Sequence, residues 1–280
     1  MTKIVLLTGS TGFVGKQVLR ALGEKNILVR LVIRDGSSIP REYSALIDKV
    51  ITTPDLFAEP VNFWACACEG VDTIIHAAWY AKPGKYLQSP KNFDCLKGTF
   101  DLAQGAVQAG VRRFVGVGTC FEYDLTDGLL SIGTPLKPLT PYAQTKTDVY
   151  RGLLKSLSTA QVEFAWCRLF YLYGEGEDDR RLVPFLRKKL SAGEFADLTS
   201  GSQIRDFLDV RDAGRMIVEE ALSQRQGAIN ICSGVPITVR QLAEQIADEY
   251  GRRDLLRFGA RPDNLVDPAC VVGVKTEVES

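Results

Sequence analysis

Short apolar runs and stretches with apolar residues at helical spacing alternate along the first 170 residues of the chain. A short uninterrupted apolar run is typical of a buried strand, whereas apolar residues recurring three and four positions apart are typical of an amphipathic helix. The predicted strands are 4–7, 27–33, 49–52, 72–76, 113–117 and 162–169, and the predicted helices are 13–22, 61–68, 92–109 and one beginning at Pro141. Because strands and helices alternate, we predict an α/β fold with a Rossmann-type doubly wound parallel sheet and a smaller, mostly C-terminal lobe.

After Gly174 the pattern becomes less regular. It predicts helices over 182–192, 210–222 and 238–250 and a strand over 228–231. In open α/β sheets, ligands bind at the carboxyl ends of the strands. We therefore expect residues 1–170 to form the main domain, with 206–231 returning to it. Residues 171–205 and 232–280 are expected to form a smaller, mostly C-terminal substrate-binding lobe over that edge.

Three glycines, Gly9, Gly12 and Gly15, join the first predicted strand to the first predicted helix. A loop without side chains lets a dinucleotide pyrophosphate approach the backbone, where the helix N-terminus favours its negative charge. The spacing differs from Gly-x-Gly-x-x-Gly, and glycines alone would also suit a tight turn. The strand before and the helix after favour a Rossmann-type dinucleotide site. Its predicted loop residues are Gly9, Thr11, Gly12, Phe13, Val14 and Gly15.

The balance of charge argues against several classes of protein. Lysine plus arginine and aspartate plus glutamate both number 34, so the basic excess of a nucleic-acid-binding protein is missing. Only four apolar residues precede Thr8, too few for a signal peptide, and no apolar run approaches the length of a membrane span. We expect a cytoplasmic protein with no nucleic-acid or membrane partner.

The chain has seven scattered cysteines and one histidine. The odd number of cysteines suits reduced thiols better than a disulfide framework. Cys66-Ala67-Cys68 lacks the spacing of a zinc site, and His76 supplies the sole imidazole, so we expect no metal. His76 ends a predicted strand and is interpreted as a packed or hydrogen-bonded core residue, with catalysis as the alternative.

Candidate catalytic residues lie between the predicted strand 113–117 and the next predicted strand. Thr140-Pro141 is typical of a helix N-terminus, which puts Tyr142 in the first turn and Lys146 on the same face one turn later. The ammonium would lower the pKa of the tyrosine from about 10, and the phenol could give a proton to a developing alkoxide. Thr119 could donate to the same oxygen or could simply cap a loop. Thr119, Tyr142 and Lys146 form the predicted catalytic triad.

These motifs resemble the extended short-chain dehydrogenase/reductase family, in particular its nucleotide-sugar epimerases, dehydratases and reductases. The resemblance covers nearly the whole chain and is carried by Thr8-Gly9 to Gly15, His76-Ala77-Ala78, Gly98-Thr99, 110–114, Thr119, Tyr142, Lys146, Arg168, Tyr173-Gly174 and Arg205-Asp206-Phe207. It implies that the glycine loop and the backbone of Ala77 and Ala78 hold the cofactor. Asp55 and Leu56 would lie near its adenine, and Leu169 would also contact it.

The same resemblance implies a nucleotide-sugar substrate and a homodimer. The triad would polarise a sugar carbonyl, and Arg205 would hold the substrate diphosphate, a task that suits guanidinium geometry. Arg261 lies in a segment that resembles a second diphosphate-binding stretch. Cys120, Phe121 and Tyr171 are the other expected substrate contacts.

The chain departs from the family pattern near the predicted site. Cys95 stands where asparagine is common, so a helix contact is lost or moves to Asn92. Tyr171 replaces a second frequent asparagine, which in the family contacts the sugar nucleotide. Sugar dehydratases carry Asp-Glu directly after the triad threonine, because eliminating water needs an extra acid and base. This chain has Cys120-Phe121, and Glu122 is displaced by one position. Dehydration is therefore disfavoured.

Arg34 follows the second predicted strand, where enzymes that retain NAD usually have an acidic residue. An arginine there would pair with the 2′-phosphate of NADP, although a solvated surface arginine is the alternative. NADPH is usually consumed as a reductant. Epimerisation before reduction uses a cysteine and histidine pair, for which only His76 is available. We therefore predict an NADPH-dependent reductase of a nucleotide-linked 4-keto-6-deoxy sugar, whose 6-deoxyhexose product would serve polysaccharide biosynthesis.

Three alternatives stay open at this point. They are an NAD(P)-dependent nucleotide-sugar epimerase, a reductase of a carbonyl substrate without a nucleotide, and a non-catalytic dinucleotide-sensing protein. Arg205 favours a diphosphate substrate over the second alternative, and the intact triad favours catalysis over the third.

Overall fold

The computed structural model describes residues 3–264 and 267–276, so the outer ends of the predicted ranges 1–170 and 232–280 lie outside the described residues. In chain order its strands are β1 (Ile4–Thr8), β2 (Leu28–Arg34), β3 (Ile47–Thr53), β4 (Thr73–His76), β5 (Arg113–Thr119), β6 (Leu129–Leu130), β7 (Glu163–Leu169), β8 (Tyr171–Tyr173), β9 (Ala196–Asp197), β10 (Ile204–Asp209), β11 (Gly227–Ile231), β12 (Pro236–Thr238), β13 (Leu256–Arg257) and β14 (Cys270–Gly273). The helices are α1 (Phe13–Glu24), α2 (Val61–Ala67), α3 (Lys91–Gln108), α4 (Pro141–Thr159), α5 (Leu182–Ser191), α6 (Val210–Leu222) and α7 (Val239–Glu249).

A seven-stranded sheet runs through the described residues in the order β11-β7-β5-β4-β1-β2-β3, and all its pairs are parallel. From β1 the chain first moves outward to β2 and β3, then returns to β4 on the other side. This reversal opens a crevice at the carboxyl ends of β1 and β4. The predicted α/β fold with a doubly wound parallel sheet is confirmed.

Helices cover both faces of this sheet. On one face α1 packs against α6, where Val18, Leu22 and Ile217 are buried in a common core. Gly214 permits this contact, because a Cβ there would lie 2.7 Å from the backbone of Gln17. On the other face α2, α3 and α4 form a second core that includes Trp64, Leu102 and Leu153. Burial on both faces explains why the strands are continuous apolar runs.

A smaller lobe contains short strands that sequence patterning missed. Its main sheet runs β12-β10-β14-β6, with β8 paired to β10, and β13 pairs with β9. α5 and α7 pack together beside it, burying Leu186, Leu190, Ala243 and Ile246. The strands are two to six residues long. Runs this short carry too few apolar positions for a period to be visible.

Asp206 of β10 holds three segments of the smaller lobe together. It is fully buried, and its carboxylate accepts hydrogen bonds from the N–H groups of Ser233 at 2.7 Å, Gly234 at 2.9 Å and Gly273 at 3.2 Å. The Ser233 hydroxyl donates a fourth bond at 2.8 Å. The carboxylate thus joins β10 to β14 and to the turn after β11.

The two regions are interleaved along the chain. Residues 206–231 contain α6 and β11, which pack on or in the large sheet, but also most of β10, which lies in the smaller lobe. β6, at Leu129–Leu130, lies inside the predicted range 1–170 and yet pairs with β14. The chain therefore enters the smaller lobe before residue 170.

Candidate active site

The glycine loop packs directly against the segment that follows β4. Gly9 has a φ of +79°, a left-handed conformation that suits glycine. A Cβ on Gly9 would lie 2.6 Å from the backbone nitrogen of Ala78, and a Cβ on Gly15 would collide with the Gly9 carbonyl oxygen. The first turn of α1 has no acidic residue. This bare backbone at a helix N-terminus fits a dinucleotide pyrophosphate.

A cavity of about 510 Å³ opens beside this loop, at the carboxyl ends of β5 and β7. The residues predicted from sequence that line it are Gly9, Gly12, Phe13, Val14, Gly15, Ala77, Thr119, Cys120, Phe121, Tyr142, Lys146, Leu169 and Tyr171. The predicted residues outside its lining are Thr11, Arg34, Asp55, Leu56, Ala78, Arg205 and Arg261. The structure therefore brings the glycine loop, the triad and three predicted substrate contacts to one cavity.

Tyr142 stands in the first turn of α4, as the sequence predicts. Thr140 caps the helix, because its side-chain oxygen accepts the N–H of Ala143 at 3.2 Å. The Tyr142 N–H donates to the carbonyl of Leu87 at 3.1 Å. The ring of Tyr86 packs edge-on against that of Tyr142, with centroids 4.8 Å apart. These contacts fix both the backbone and the ring of Tyr142.

The predicted lowering of the Tyr142 pKa is wrong for this structure. Burial raises the pKa of Tyr142 above its ordinary value of 10.0, and the nearby Tyr86 and Glu122 add to the rise. A hydrogen bond with the Thr119 side chain offsets part of it. The cause is that desolvation of the phenolate outweighs the attraction of any nearby charge. A phenol that keeps its proton at neutral pH can serve as a proton donor.

Lys146 lies one helical turn after Tyr142 and is 3% exposed. Its Nζ donates to the carbonyl of Val117 at 2.6 Å and lies 3.7 Å from the centroid of the Trp79 ring. Burial lowers the pKa of Lys146 to about 7, while Glu122 and Cys95 act in the opposite direction. Its charge is therefore sensitive to small changes around neutral pH.

Thr119 caps a turn and also faces the cavity. It ends β5 and caps the 3-10 turn Cys120–Glu122, where its hydroxyl accepts the Phe121 N–H at 3.3 Å. The same side chain lines the cavity and interacts with Tyr142.

Glu122 has a structural role at the floor of the site. It is fully buried and accepts hydrogen bonds from the Thr119 N–H at 2.8 Å and from Trp166 Nε1 at 3.0 Å. It also pairs with Arg168 Nε at 2.8 Å. Because three donors already occupy it, this carboxylate is not a free acid or base.

The residues predicted for the far end of the cofactor lie apart from the cavity. Arg34, at the end of β2, is exposed, and across residues 3–264 and 267–276 its side chain has no hydrogen-bond or ion-pair partner. Asp55 is exposed and accepts the N–H of Phe57 at 3.0 Å, and Leu56 packs against the core that contains α2. Thr11 is exposed in the glycine loop.

Arg205, predicted to bind a diphosphate, is 3% exposed and already has partners. Its Nη1 donates to the carbonyl of Ile204 at 2.8 Å, and its Nη2 pairs with Asp267 Oδ2 at 2.8 Å. Its guanidinium lies 5.2 Å from the ring centroid of Tyr171, which lines the cavity. Arg261 is exposed.

His76 is a hydrogen-bonded core residue, as the sequence favours. It is 2% exposed, with Nδ1 2.8 Å from the Thr8 hydroxyl and Nε2 3.0 Å from the Thr99 hydroxyl. Thr99 donates its own proton to the Cys95 carbonyl at 2.7 Å, so Nε2 carries the imidazole proton. Burial lowers the pKa of His76 to about 3, which keeps the ring neutral.

A model described as the NAD dependent epimerase/dehydratase family matches residues 5–232. The chain belongs to this family. The resemblance to extended short-chain dehydrogenases/reductases is thereby confirmed. Among relatives in this group, a dTDP-6-deoxy-L-talose 4-dehydrogenase (NAD(+)) of Aggregatibacter actinomycetemcomitans is 24% identical over 273 residues, covering 97% of this chain and 99% of the relative.

Solved structures agree with this assignment of the fold to the NAD dependent epimerase/dehydratase family. The UDP-glucose 4-epimerase of Thermotoga maritima, solved with UDP-glucose, superimposes with a TM-score of 0.83 at 18% identity and covers 98% of this chain and 90% of its own. MoeE5, solved with UDP-glucose and NAD, gives a TM-score of 0.79 at 26% identity and covers 96% of this chain and 88% of its own.

The site of this family member also contains residues that sequence reasoning missed. The cavity is lined by Trp79, Tyr86 and Arg181 in addition to the predicted residues. Trp79 stands next to Ala77-Ala78, and its proximity to that motif was an available signal. In the described part of the chain, no group of histidine, cysteine or acidic residues is arranged to hold a metal, and no helix there could cross a membrane.

Proposed function

We propose that this member of the NAD dependent epimerase/dehydratase family reduces the C4 carbonyl of a nucleotide-linked 4-keto-6-deoxy sugar with NADPH to give a 6-deoxyhexose. The observation that carries the proposal is the meeting of the glycine loop with Thr119, Tyr142 and Lys146 at one cavity. The nicotinamide supplies a hydride when bound. The glycine loop would hold the pyrophosphate of the dinucleotide.

Each triad residue has a distinct role in this reaction. Tyr142 gives its proton to the carbonyl oxygen as negative charge develops there. Thr119 donates a hydrogen bond to the same oxygen, and Lys146 places positive charge below both. Cys120, Phe121 and Tyr171 contact the sugar, and Arg205 and Arg261 hold the diphosphate.

The state of Glu122 supports reduction over dehydration. Removing water from a sugar requires an acid and a base beyond the triad, and Glu122, the first carboxylate after Thr119 in the sequence, is occupied by its ion pair with Arg168. The relative from Aggregatibacter is named for oxidation of a dTDP-linked 6-deoxy sugar at position 4. Reduction of a 4-keto group is the reverse of an oxidation at that carbon.

Arg34 supports NADPH as the reductant. It ends β2 with a guanidinium free of partners in the described residues, which suits a 2′-phosphate. The Aggregatibacter relative is named for NAD(+), so NADH is the second candidate. The two cofactors differ only in the phosphate that Arg34 would bind.

The test is incubation of the purified protein with 4-deuterated NADPH and a panel of dTDP-, UDP- and GDP-linked 4-keto-6-deoxy sugars. We expect stoichiometric loss of NADPH and deuterium at C4 of a 6-deoxyhexose product. Lys155→Ala, at an exposed position of α4, the helix that carries Tyr142 and Lys146, is a control variant. It should give the same product and the same loss of NADPH as the unmodified protein. Formation of a stereoisomer without net loss of cofactor would identify an epimerase instead.

A further inference from the structure

The indole of Trp79 lies over the ammonium of Lys146. Trp79 follows the end of β4 by three residues, and its ring centroid is 3.7 Å from Lys146 Nζ. A cation on an aromatic face is attracted by the negative potential of the ring, most strongly for tryptophan and for desolvated cations. Since Lys146 is 3% exposed, the indole face replaces part of the hydration that the ammonium lacks.

Trp79 is itself held in a fixed orientation by α3. Its Nε1 donates to Asn92 Oδ1 at 2.9 Å, and Asn92 is fully buried. The Asn92 amide nitrogen donates to the carbonyls of Tyr86 at 2.7 Å and Ser89 at 2.9 Å. These two acceptors fix which end of the carboxamide faces the indole. The Phe57 ring packs edge-on against Trp79 at 6.3 Å.

Cys95, one turn further along α3, makes no comparable link. It stands where the resembling family commonly has asparagine, and its sulfur accepts only the N–H of Tyr80, at 3.4 Å. The hydrogen-bonded contact from α3 towards Lys146 runs through Asn92 and Trp79. The sequence left open whether this contact was lost or moved to Asn92.

We propose that Trp79, oriented by Asn92, is a positioning residue that keeps Lys146 charged and directed at the cavity. This proposal rests on the proposed function because it takes Lys146 to assist Tyr142 in the reaction. The contact between Trp79 and Lys146 does not depend on any substrate. The other groups that face Lys146 are Glu122 after β5, Cys95 on α3, His76 on β4 and the Trp166 ring at 5.6 Å on β7. Glu122 favours the charged lysine and burial opposes it.

The test replaces Trp79, site-specifically, by tryptophans with an increasing number of ring fluorines. Fluorination keeps the shape and the N–H group but weakens the negative face of the ring. The pKa of Lys146 is read by NMR titration of its ¹⁵N-labelled Nζ, assigned with Lys146→Arg, in protein without substrate. We expect the pKa of Lys146 to fall with each added fluorine, by about 0.5 to 1 pH unit over the whole series.

The same substitution at Trp64, which is buried in the core beside α3, is the matched control and should leave the titration unchanged. Trp79→Phe, which retains a smaller aromatic face, should lie between the natural protein and Trp79→Leu. An Nζ titration unaffected by fluorination at position 79 would overturn the proposal. A stepwise fall in a protein that reduces no keto-sugar would overturn the proposed function while supporting the role of Trp79.

Discussion

At the scale of single residues, burial rather than a neighbouring charge decides the protonation of the triad. Desolvation raises the pKa of Tyr142 and lowers that of Lys146 to about 7. Both shifts favour the neutral form, because a charge in the cavity wall lacks water. The phenol of Tyr142 therefore keeps its proton across the neutral range, as the proposed transfer to a substrate oxygen requires.

Tyr142→Phe removes that proton and leaves the ring packed against Tyr86. We expect turnover to fall by about 10² to 10⁴, the usual contribution of a general acid. Thermal unfolding and dinucleotide titration should match those of the unmodified protein, since only the hydroxyl is lost. Near-normal turnover would show that another group supplies the proton.

Arg34→Ala tests the choice of cofactor. Loss of a charge-assisted contact to the 2′-phosphate should cost about 1.5 to 3 kcal/mol, roughly tenfold or more in NADPH affinity. Binding of NADH should be nearly unchanged. Arg151→Ala, on the exposed face of α4, is the control. Equal affinity for both cofactors before and after the change would contradict the role of Arg34.

At the scale of elements, the smaller lobe depends on a single buried carboxylate. The four donors around Asp206 come from two segments, 233–234 and residue 273, that are distant in sequence from each other and from β10. A buried N–H without an acceptor costs free energy comparable to a lost hydrogen bond. Leaving these donors unpaired would therefore lower the free energy of unfolding.

Asp206→Asn turns one acceptor into a donor that faces N–H groups. We expect the free energy of unfolding to fall by about 2 to 5 kcal/mol, measured by urea denaturation. Asp254→Asn, which breaks a surface pair with Arg252, should leave the free energy of unfolding nearly unchanged. If the two variants were equally stable, Asp206 would not hold the lobe together.

Sequence patterning predicted the elements of the large sheet well because its central strands are buried on both faces and its helices have one apolar face. The predicted helix 210–222 has the observed bounds of α6. The predicted strand 27–33 and helix 92–109 differ from the structure by one residue at each end.

The smaller sheet escaped prediction because its strands are short and pair with segments far away in sequence. The pairing of Arg205 with Asp267 and the contact between Trp79 and Lys146 likewise arise only in three dimensions.

At the scale of the whole molecule, apolar side chains remain exposed on the outer helices. Phe93 and Val107 of α3 are 61% and 37% exposed, and Leu154 of α4 is 42% exposed. α3 and α4 pack side by side on one face of the large sheet. Exposed apolar side chains can mark an interface, and these suit the homodimer expected from the sequence.

Phe93→Glu should therefore weaken self-association. We expect light scattering to give about twice the 30.9 kDa mass of the chain for the unmodified protein and a mass nearer to one chain for the variant at low concentration. Val235→Glu, at a residue 62% exposed in the smaller lobe, is the control and should leave the mass unchanged. A monomeric unmodified protein would contradict the expectation.

The position of β14 in the small sheet has a consequence for synthesis on the ribosome. β14 lies between β10 and β6, so residues 270–273 join residues 204–205 to residues 129–130. β6 and β10 have emerged long before that partner is made, whereas β1 to β5 can pair as soon as they appear. A nascent chain thus assembles the glycine loop early but must wait for residue 273 before its smaller lobe can close. Ribosomal pausing within the last helix, α7, would prolong the period in which those strand edges stay unpaired.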